Sequence, residues 1–188
     1  MTPEQELGTW EPATLDARVD RLESLAAIRQ LPPRYALALD SRDIAMLVTL
    51  FVPDVRVGAT ATGREALREW FTDAMTKVRT SVHVVANHII DFDANDRAHG
   101  IVYCRDEVEC PDTGEWKVGM LQYHDTYRRT DGAWAFERRR FYRWYQTDAL
   151  TRPAPGAGME PDVDPITTNR LPESFSTWAP FWDSVAVR

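Results

Sequence analysis

The stretch YALALDSRDIAMLVTLFVPDV, residues 35–55, decides how the chain is organised, because one helix ends and a second begins inside it. YALALD predicts the last turns of a helix, and the following SRD is typical of a turn with an N-cap residue. IAMLVTLF then predicts a short helix, which Pro53 ends. Its spacing predicts that the core-facing residues are Ile44, Leu47, Leu50 and Phe51. This pattern puts the carboxylate of Asp40 at the end of the first helix.

Helical patterns flank this stretch on both sides. LDARVDRLESLAAIRQL, residues 15–31, has apolar residues close to helical spacing and predicts the first helix. Because proline is tolerated in a first helical turn, Pro32 and Pro33 predict a kink near Leu31 and the start of a second helical piece. GREALREWFTDAMTKV, residues 63–78, predicts the last long helix, whose apolar stripe is Leu67, Trp70, Phe71 and Met75.

The pattern changes from helix to strand at Ser81. The strand-like segments are SVHVVANHIIDF (81–92), AHGIVYCRDEVEC (98–110), WKVGMLQYHDTYRRT (116–130) and AWAFERRRFYRWYQ (133–146). DTG at 112–114 and TDG at 130–132 are typical of tight turns, so the last three strands are predicted to be antiparallel neighbours. Helices followed by an antiparallel sheet predict an α+β fold.

Composition and charge restrict the class of protein and its partners. With 188 residues, of which 44% are hydrophobic and 27% charged, the chain is predicted to form one domain with tails. The net charge of -7 argues against nucleic acid as a partner, because phosphate binding needs a basic face. The basic run Arg138–Arg140 and Arg143 is interpreted as a strand whose outward residues are solvated or pair with carboxylates; contact with an anionic substrate is the alternative. Cys104 and Cys110 match neither a disulfide framework nor a zinc motif.

The two ends of the chain are expected to differ from its middle. Residues 1–14 are predicted to be an irregular arm, 15–148 the domain, and 149–188 a proline-rich tail. The tail contains TWAPFW, which is too apolar to lie in water and is expected to pack over the domain or a neighbouring subunit. Because we find neither a signal-peptide pattern nor a run of about 18 apolar residues, we expect a cytoplasmic protein that does not bind membranes.

Three segments together resemble a known family. The stretch 35–55 has an aspartate at the end of a helix and then D-x-x-x-L-x-x-x-F, and it precedes a histidine strand, SVHVVANHII, and a terminal hairpin, YRRTDGAWAF. In this order and spacing they resemble the SnoaL-like branch of the nuclear-transport-factor-2-like (NTF2-like) superfamily over roughly Asp16–Tyr145. The resemblance implies a cone in which N-terminal helices pack on a curved antiparallel or mixed β-sheet and enclose a pocket. It also implies a homo-oligomer, either a trimer or a dimer.

The resemblance further implies where the chemistry takes place. The chain looks most like scytalone dehydratases, hexachlorocyclohexane dehydrochlorinases and bile-acid dehydratases, which place an aspartate and a histidine together in the pocket. The matching positions here are Asp40 and His83. The bile-acid enzymes also use a tyrosine five residues before the aspartate, and Tyr35 stands at that position. Scytalone dehydratases have a second pocket histidine on the next strand, and Asp106 lies in the corresponding region.

These residue types suit the elimination of water from a β-hydroxy carbonyl compound. A neutral imidazole that donates one N–H to a carboxylate is an effective base near neutral pH. We therefore predict a cofactor-independent, dehydratase-type lyase for a cyclic hydrophobic substrate, steroid-like or polyketide-like, with His83 as base, Asp40 orienting it and Tyr35 polarising the substrate. One alternative is a double-bond isomerase or polyketide cyclase that uses the same site. Another is a non-catalytic binding or assembly module, in which His83 and Asp40 are structural.

Strand alternation sorts the remaining candidates. It predicts His83 and Asn87 on one face and His88 on the other, so His88 is interpreted as a residue that packs or makes a structural hydrogen bond, and Asn87 as a donor to a substrate oxygen. The other candidates for substrate contact are Asp106, Tyr123 and Trp144. Aromatic residues at this density are more often core or interface, which is the alternative for both of the aromatic candidates. The histidines lack metal-ligand spacing, and we find no phosphate loop, so neither a metal nor a cofactor is predicted.

Overall fold

Three helices precede a four-stranded antiparallel sheet in the computed structural model, which describes Pro12 and Thr14–Asp148. The elements are α1 (Leu15–Asp40), α2 (Ile44–Thr49), β1 (Arg56–Val57), β2 (Ala61–Thr62), α3 (Arg64–Thr76), β3 (Thr80–Ala94), β4 (Arg97–Glu109), β5 (Trp116–Thr130) and β6 (Ala133–Asp148). The predicted α+β layout is therefore confirmed. Except for Pro12 and Thr14, the predicted arm, and all of the predicted proline-rich tail, lie outside the described residues.

The first helix is one continuous element where the sequence predicted two pieces. Thr14 caps its start, because its hydroxyl accepts a hydrogen bond from the backbone N–H of Ala17 at 3.2 Å. The helix then runs through Pro32 and Pro33, although each proline lacks the N–H that an internal helical position donates. Leu31 and Pro32 are buried. Packing of this face against the sheet offsets the missing hydrogen bonds, so the helix continues to Asp40.

The short helix and the last helix largely follow the prediction. Asp43 caps α2, since its carboxylate accepts a hydrogen bond from the N–H of Met46 at 2.8 Å. In α3, Leu67 and Phe71 are buried in the core, whereas Trp70 is 51% exposed. Including Trp70 in the apolar stripe was therefore wrong. The buried residues of α3 are spaced at i and i+4, so the stripe is narrower than the one predicted.

The sheet has the order β3-β4-β5-β6, in which each strand pairs antiparallel with the next, as predicted for the last three strands. The inner face carries the main core, which α1, α2 and α3 cover. α1 packs against β3, which is an edge strand of this sheet. Among the described residues, no helix has the length and apolarity needed to cross a membrane.

A β-bulge in β3 reverses the predicted alternation of its side chains. Between Val85 and His88, two β3 residues lie opposite a single residue of β4. The extra residue shifts the side-chain period by one position. His88 therefore shares the inward face of His83, and Asn87 is exposed to solvent. The predictions that Asn87 shares the face of His83 and that His88 lies opposite were both wrong.

Candidate active site

Asp40 and His83, which we call the dyad, meet where α1 ends against β3. Oδ1 of Asp40 lies 2.6 Å from Nδ1 of His83, and Oδ2 accepts a hydrogen bond from the backbone N–H of His83 at 2.8 Å. The hydroxyl of Ser81 also donates to Oδ1, at 2.9 Å. The side chain of His83 is 11% exposed and that of Asp40 26%. The carboxylate is thus held by three donors, one of which is the imidazole.

Arg42 joins the end of α1 to the start of β3. Its guanidinium donates to the carbonyl of Leu39 at 2.6 Å, to the hydroxyl of Ser81 at 2.8 Å and to the carbonyl of Val78 at 2.9 Å. The residue has a left-handed backbone, with φ of 60°. The sequence showed only a turn at this position. The structure shows that Arg42 holds together the two segments that carry the dyad.

The contact between the two side chains determines which nitrogen of His83 is available for chemistry. A carboxylate oxygen has no proton to donate, so Nδ1 of His83 carries the hydrogen of the 2.6 Å contact. In the neutral ring the lone pair then lies on Nε2. A carboxylate in this position also stabilises the imidazolium that forms when Nε2 takes up a proton. The dyad has the geometry of an oriented general base.

A cavity of about 750 Å³ lies between α1 and β3 and includes both members of the dyad. As formed by the described residues, it opens to solvent, whereas the family resemblance implied an enclosed pocket. Its lining residues are Arg29, Pro33, Ala36, Leu37, Asp40, His83, Val84, Val85, Ala86 and His88. Nowhere in Thr14–Asp148 do three His, Cys, Asp or Glu side chains converge as a metal site would require.

An ion pair lies buried on the inner face of the sheet. Arg139 donates two hydrogen bonds to Asp125, at 2.8 and 2.7 Å, and the two side chains are 4% and 0% exposed. The guanidinium lies over the rings of Tyr35, Tyr123 and Phe136, at 4.1 to 4.3 Å from their centroids. Burial alone lowers the pKa of Arg139, but the charge and hydrogen bonds of Asp125 outweigh it and hold that pKa above its usual value. Arg139 is therefore a charged core residue.

His88 continues this polar network towards the cavity. Tyr127 donates its hydroxyl proton to Asp125 at 2.9 Å, and Nε2 of His88 lies 3.0 Å from the same hydroxyl oxygen. Burial lowers the pKa of His88 to about 4. The ring is consequently neutral near pH 7. The hydrogen bond to Tyr127 agrees with the predicted packing or hydrogen-bonding role of His88, but its predicted place on the face away from the site was wrong, because His88 lines the cavity.

Tyr35 and Tyr123 lie in an aromatic cluster of the hydrophobic core. Tyr35 is 7% exposed, contacts the ring of Tyr123 at 5.7 Å between centroids, and is not among the residues that line the cavity. Burial raises the pKa of Tyr35 to about 12, so the phenol stays protonated. The structure therefore does not bring Tyr35 to the open part of the site, because positions i and i+5 of a helix point in different directions.

The other predicted contact residues also lie away from the cavity lining. Asp106 faces inward opposite His83, and its carboxylate lies 3.4 Å from the guanidinium of Arg143. Oδ1 of Asp106 is buried and has no hydrogen-bond partner within the described part of the chain. Trp144 packs edge-to-face on Tyr103, whose neighbours on β4 face inward, so Trp144 lies on the outer face of the sheet. Exposed Asn87 is likewise absent from the cavity.

Comparison with solved structures identifies proteins of the same fold. A provisionally named scytalone dehydratase from Novosphingobium aromaticivorans DSM 12444 is 26% identical, with a TM-score of 0.62 over 76% of this chain and 99% of that one. A hexachlorocyclohexane dehydrochlorinase, LinA type2, is 22% identical, with a TM-score of 0.64 over 78% and 99%. LinA-type3 from Novosphingobium barchaimii LL02 is 23% identical, with a TM-score of 0.63 over 77% and 99%. No curated protein matches the chain.

The family model for the SnoaL-like domain matches residues 20–140, a span that includes the dyad and every strand of the main sheet at least in part. Helices followed by a four-stranded antiparallel sheet, together with these neighbours, show an NTF2-like α+β cone fold. The chain belongs to the SnoaL-like domain family.

Proposed function

We propose that this protein is a lyase that eliminates water from cyclic, mostly hydrophobic β-hydroxy carbonyl compounds by acid/base chemistry of its side chains. The observation that carries the proposal is the 2.6 Å contact between Asp40 and His83 at the wall of the cavity. The dehydratase and dehydrochlorinase names of the structural neighbours support a lyase of this general type.

In the proposed reaction, Nε2 of His83 removes the proton on the carbon next to the substrate carbonyl, and the electron pair of that C–H bond forms an enolate. The enolate then expels the β-hydroxyl group, and a carbon–carbon double bond replaces the broken C–O bond. The imidazolium returns its proton to the departing hydroxide, so water leaves and neutral His83 is regenerated. Asp40 holds the ring and stabilises its charged form, and such a base contributes roughly 100- to 10,000-fold to the rate.

The cavity supports a flat polycyclic substrate of the steroid or polyketide type. Its volume of about 750 Å³ lies in the range of small-molecule sites. Apolar side chains such as Pro33, Ala36 and Val85 form much of its wall, and the dyad and His88 supply polar groups. Such a site holds a ring system by its faces and orients it through a few hydrogen bonds.

The test is turnover of 3-hydroxy-1-tetralone, a bicyclic β-hydroxy ketone that yields fluorescent 1-naphthol when it loses water. We expect His83→Ala and Asp40→Asn each to lower kcat by about 100-fold or more, because either change removes the oriented base. His99→Ala is the matched control, since His99 also pairs with an aspartate, Asp93, at 2.9 Å, but its side chain is 43% exposed. Circular dichroism checks the fold of each variant. Unchanged turnover in His83→Ala would rule out the proposal.

Two alternative functions differ from the lyase in what the wild-type protein does to polycyclic ketones. A double-bond isomerase or cyclase would use the same base but would not act on 3-hydroxy-1-tetralone, which has no double bond outside its aromatic ring to move and no open chain to cyclise. From an unsaturated polycyclic ketone, an isomerase product would have the mass of the substrate rather than that mass less one water. A non-catalytic binding module is the second candidate, and the opening of the cavity to solvent favours it. In that case the wild-type protein would bind polycyclic ketones but turn over none of them.

We also propose that the protein forms a homo-oligomer, a dimer or a trimer. Support comes from the outward side chains of the edge strand β3, where Val82, Val84 and Ile89 expose apolar surface. Light scattering during size-exclusion chromatography measures the mass directly. A monomeric mass at all concentrations would contradict this part of the proposal.

A further inference from the structure

The hydrogen bonds of Tyr127 determine where His88 carries its proton. The hydroxyl of Tyr127 has one hydrogen, which it donates to Asp125 at 2.9 Å. Nε2 of His88 lies 3.0 Å from the oxygen of the same hydroxyl. Because that hydrogen is already used, the contact forms only if His88 donates Nε2–H to Tyr127. The neutral ring then has its lone pair on Nδ1.

Nδ1 of His88 is available to a ligand. It makes no hydrogen bond to any described residue. Because it also does not belong to the polar atoms that are fully buried without a partner, it is accessible to solvent. His88 also lines the cavity. Burial lowers the pKa of the ring to about 4, so near neutral pH Nδ1 acts as an acceptor only.

The surroundings hold the ring in this orientation. Gly100 lies behind it, and a Cβ atom there would lie 3.4 Å from Nε2 of His88, 3.3 Å from Cε2 of Tyr127 and 2.5 Å from the carbonyl oxygen of Ile89. The absence of a side chain at Gly100 lets both rings pack against the strand. Asp125 in turn is fixed by its buried pair with Arg139. The acceptor is thus preorganised through a chain of hydrogen bonds that ends in the core.

We propose that Nδ1 of His88 binds a hydroxyl group of the substrate and so selects polycyclic compounds that carry a hydrogen-bond donor remote from the reacting carbon. His83 and His88 have β4 partners four positions apart, Asp106 and Val102. At about 3.3 Å per residue, their Cα atoms lie roughly 13 Å apart. The inference rests on the proposed function for the reacting end of the substrate and adds a second contact at the other end.

Binding of a matched pair of ligands tests the inference. Estrone is a flat, apolar, four-ring ketone with a phenolic hydroxyl at the end opposite its carbonyl group, and 3-deoxyestrone lacks only that hydroxyl. We expect the wild-type protein to bind estrone roughly two- to tenfold more tightly than 3-deoxyestrone, as for one neutral hydrogen bond. Isothermal titration calorimetry measures both dissociation constants. Equal affinity for the two ligands would overturn the inference.

Two conservative variants separate the nitrogens of His88. In His88→Gln, the amide N–H takes the place of Nε2–H and keeps the bond to Tyr127, but no acceptor stands at the position of Nδ1. In His88→Asn, the amide oxygen lies near the position of Nδ1, while the bond to Tyr127 is lost. We expect His88→Gln to lose the preference for estrone and His88→Asn to retain it. The opposite pattern, or an unchanged preference in both variants, would show that Nδ1 is not the contact.

This experiment is independent of the catalytic proposal. The proposed lyase activity fails if the wild-type protein does not turn over the tetralone, or if His83→Ala turns it over as fast as the wild type. Either result leaves the preference for estrone over 3-deoxyestrone intact. A failure of the His88 contact appears as a preference that does not respond to His88→Gln, while His83→Ala still abolishes turnover.

Discussion

Replacing Asp125 with asparagine removes one charge from the buried ion pair and leaves the shape of the side chain almost unchanged. In the wild-type protein the Asp125 carboxylate accepts two hydrogen bonds from Arg139 and one from Tyr127. Both partners of the ion pair are sealed from solvent, with exposures of 0% and 4%. After the change, the guanidinium remains buried among aromatic rings without a counter-charge.

The expected loss of stability follows from this burial. Removing one partner of a buried pair costs about 3 to 5 kcal/mol, because the remaining charge is neither hydrated nor compensated. For a domain of this size, each kcal/mol shifts Tm by about 2 to 4 °C, so Asp125→Asn should lower Tm by roughly 6 to 20 °C. The loss is a large fraction of the total stability of a typical domain.

Urea unfolding followed by tryptophan fluorescence measures the difference in free energy. Asp73→Asn is the matched control, because Asp73 pairs with Lys77 at 2.9 Å while both side chains are 72% exposed. An exposed pair of this kind contributes about 0 to 1 kcal/mol. If Asp125→Asn costs no more than Asp73→Asn, burial of the Arg139 pair does not have the energetic role that we assign to it.

Three further predictions concern single residues. The pKa of His88 is lowered from 6.5 to about 4 in the folded protein, so the free energy of unfolding should be highest above pH 6.5 and fall as the pH drops towards 4. His88→Gln should reduce that fall by about 1 to 2 kcal/mol, after allowance for the exposed part of the ring, and a variant with the wild-type slope would contradict this. Gly119→Ala should cost about 1 to 3 kcal/mol in urea unfolding, because the added Cβ would overlap Oδ1 of Asp106; a neutral effect would show that the carboxylate moves freely. Burial raises the pKa of Cys104 to about 12, so a disulfide reagent should label partly exposed Cys110 quickly and Cys104 only on unfolding, and two fast thiols would be inconsistent with the structure.

The helical segments, the four main strands and the antiparallel order of the last three strands could be predicted from the sequence, because these features depend on local periodicity and on turn residues. The Asp43 cap and both hairpin turns are local in this sense. The contact between Asp40 and His83 was predicted only through the family resemblance, because the two residues are separated by 43 positions and no local pattern links them. Their catalytic role remains a proposal.

The interior charges could not be assigned from the sequence. The run Arg138–Arg140 suggested a solvated strand, and Arg138 and Arg140 are indeed exposed. Strict alternation from the inward Trp134 and Phe136 would leave Arg139 outside, but a β-bulge at Glu137 turns it inward. Its charge is tolerated there only because Asp125 faces it from the neighbouring strand. Whether a strand arginine is buried depends on a partner 14 residues away, which the local sequence does not specify.

The sequence by itself determined the fold class and the positions of the four main strands, because both follow from local periodicity and turn residues. It also determined the family, through the order and spacing of three segments. Only the tertiary structure decided which histidine joins the site. Strict alternation excluded His88, but one extra residue in β3 reverses the alternation, turning His88 inward and Asn87 outward. A bulge is a property of two paired strands, so it becomes visible only once β3 is in register with β4.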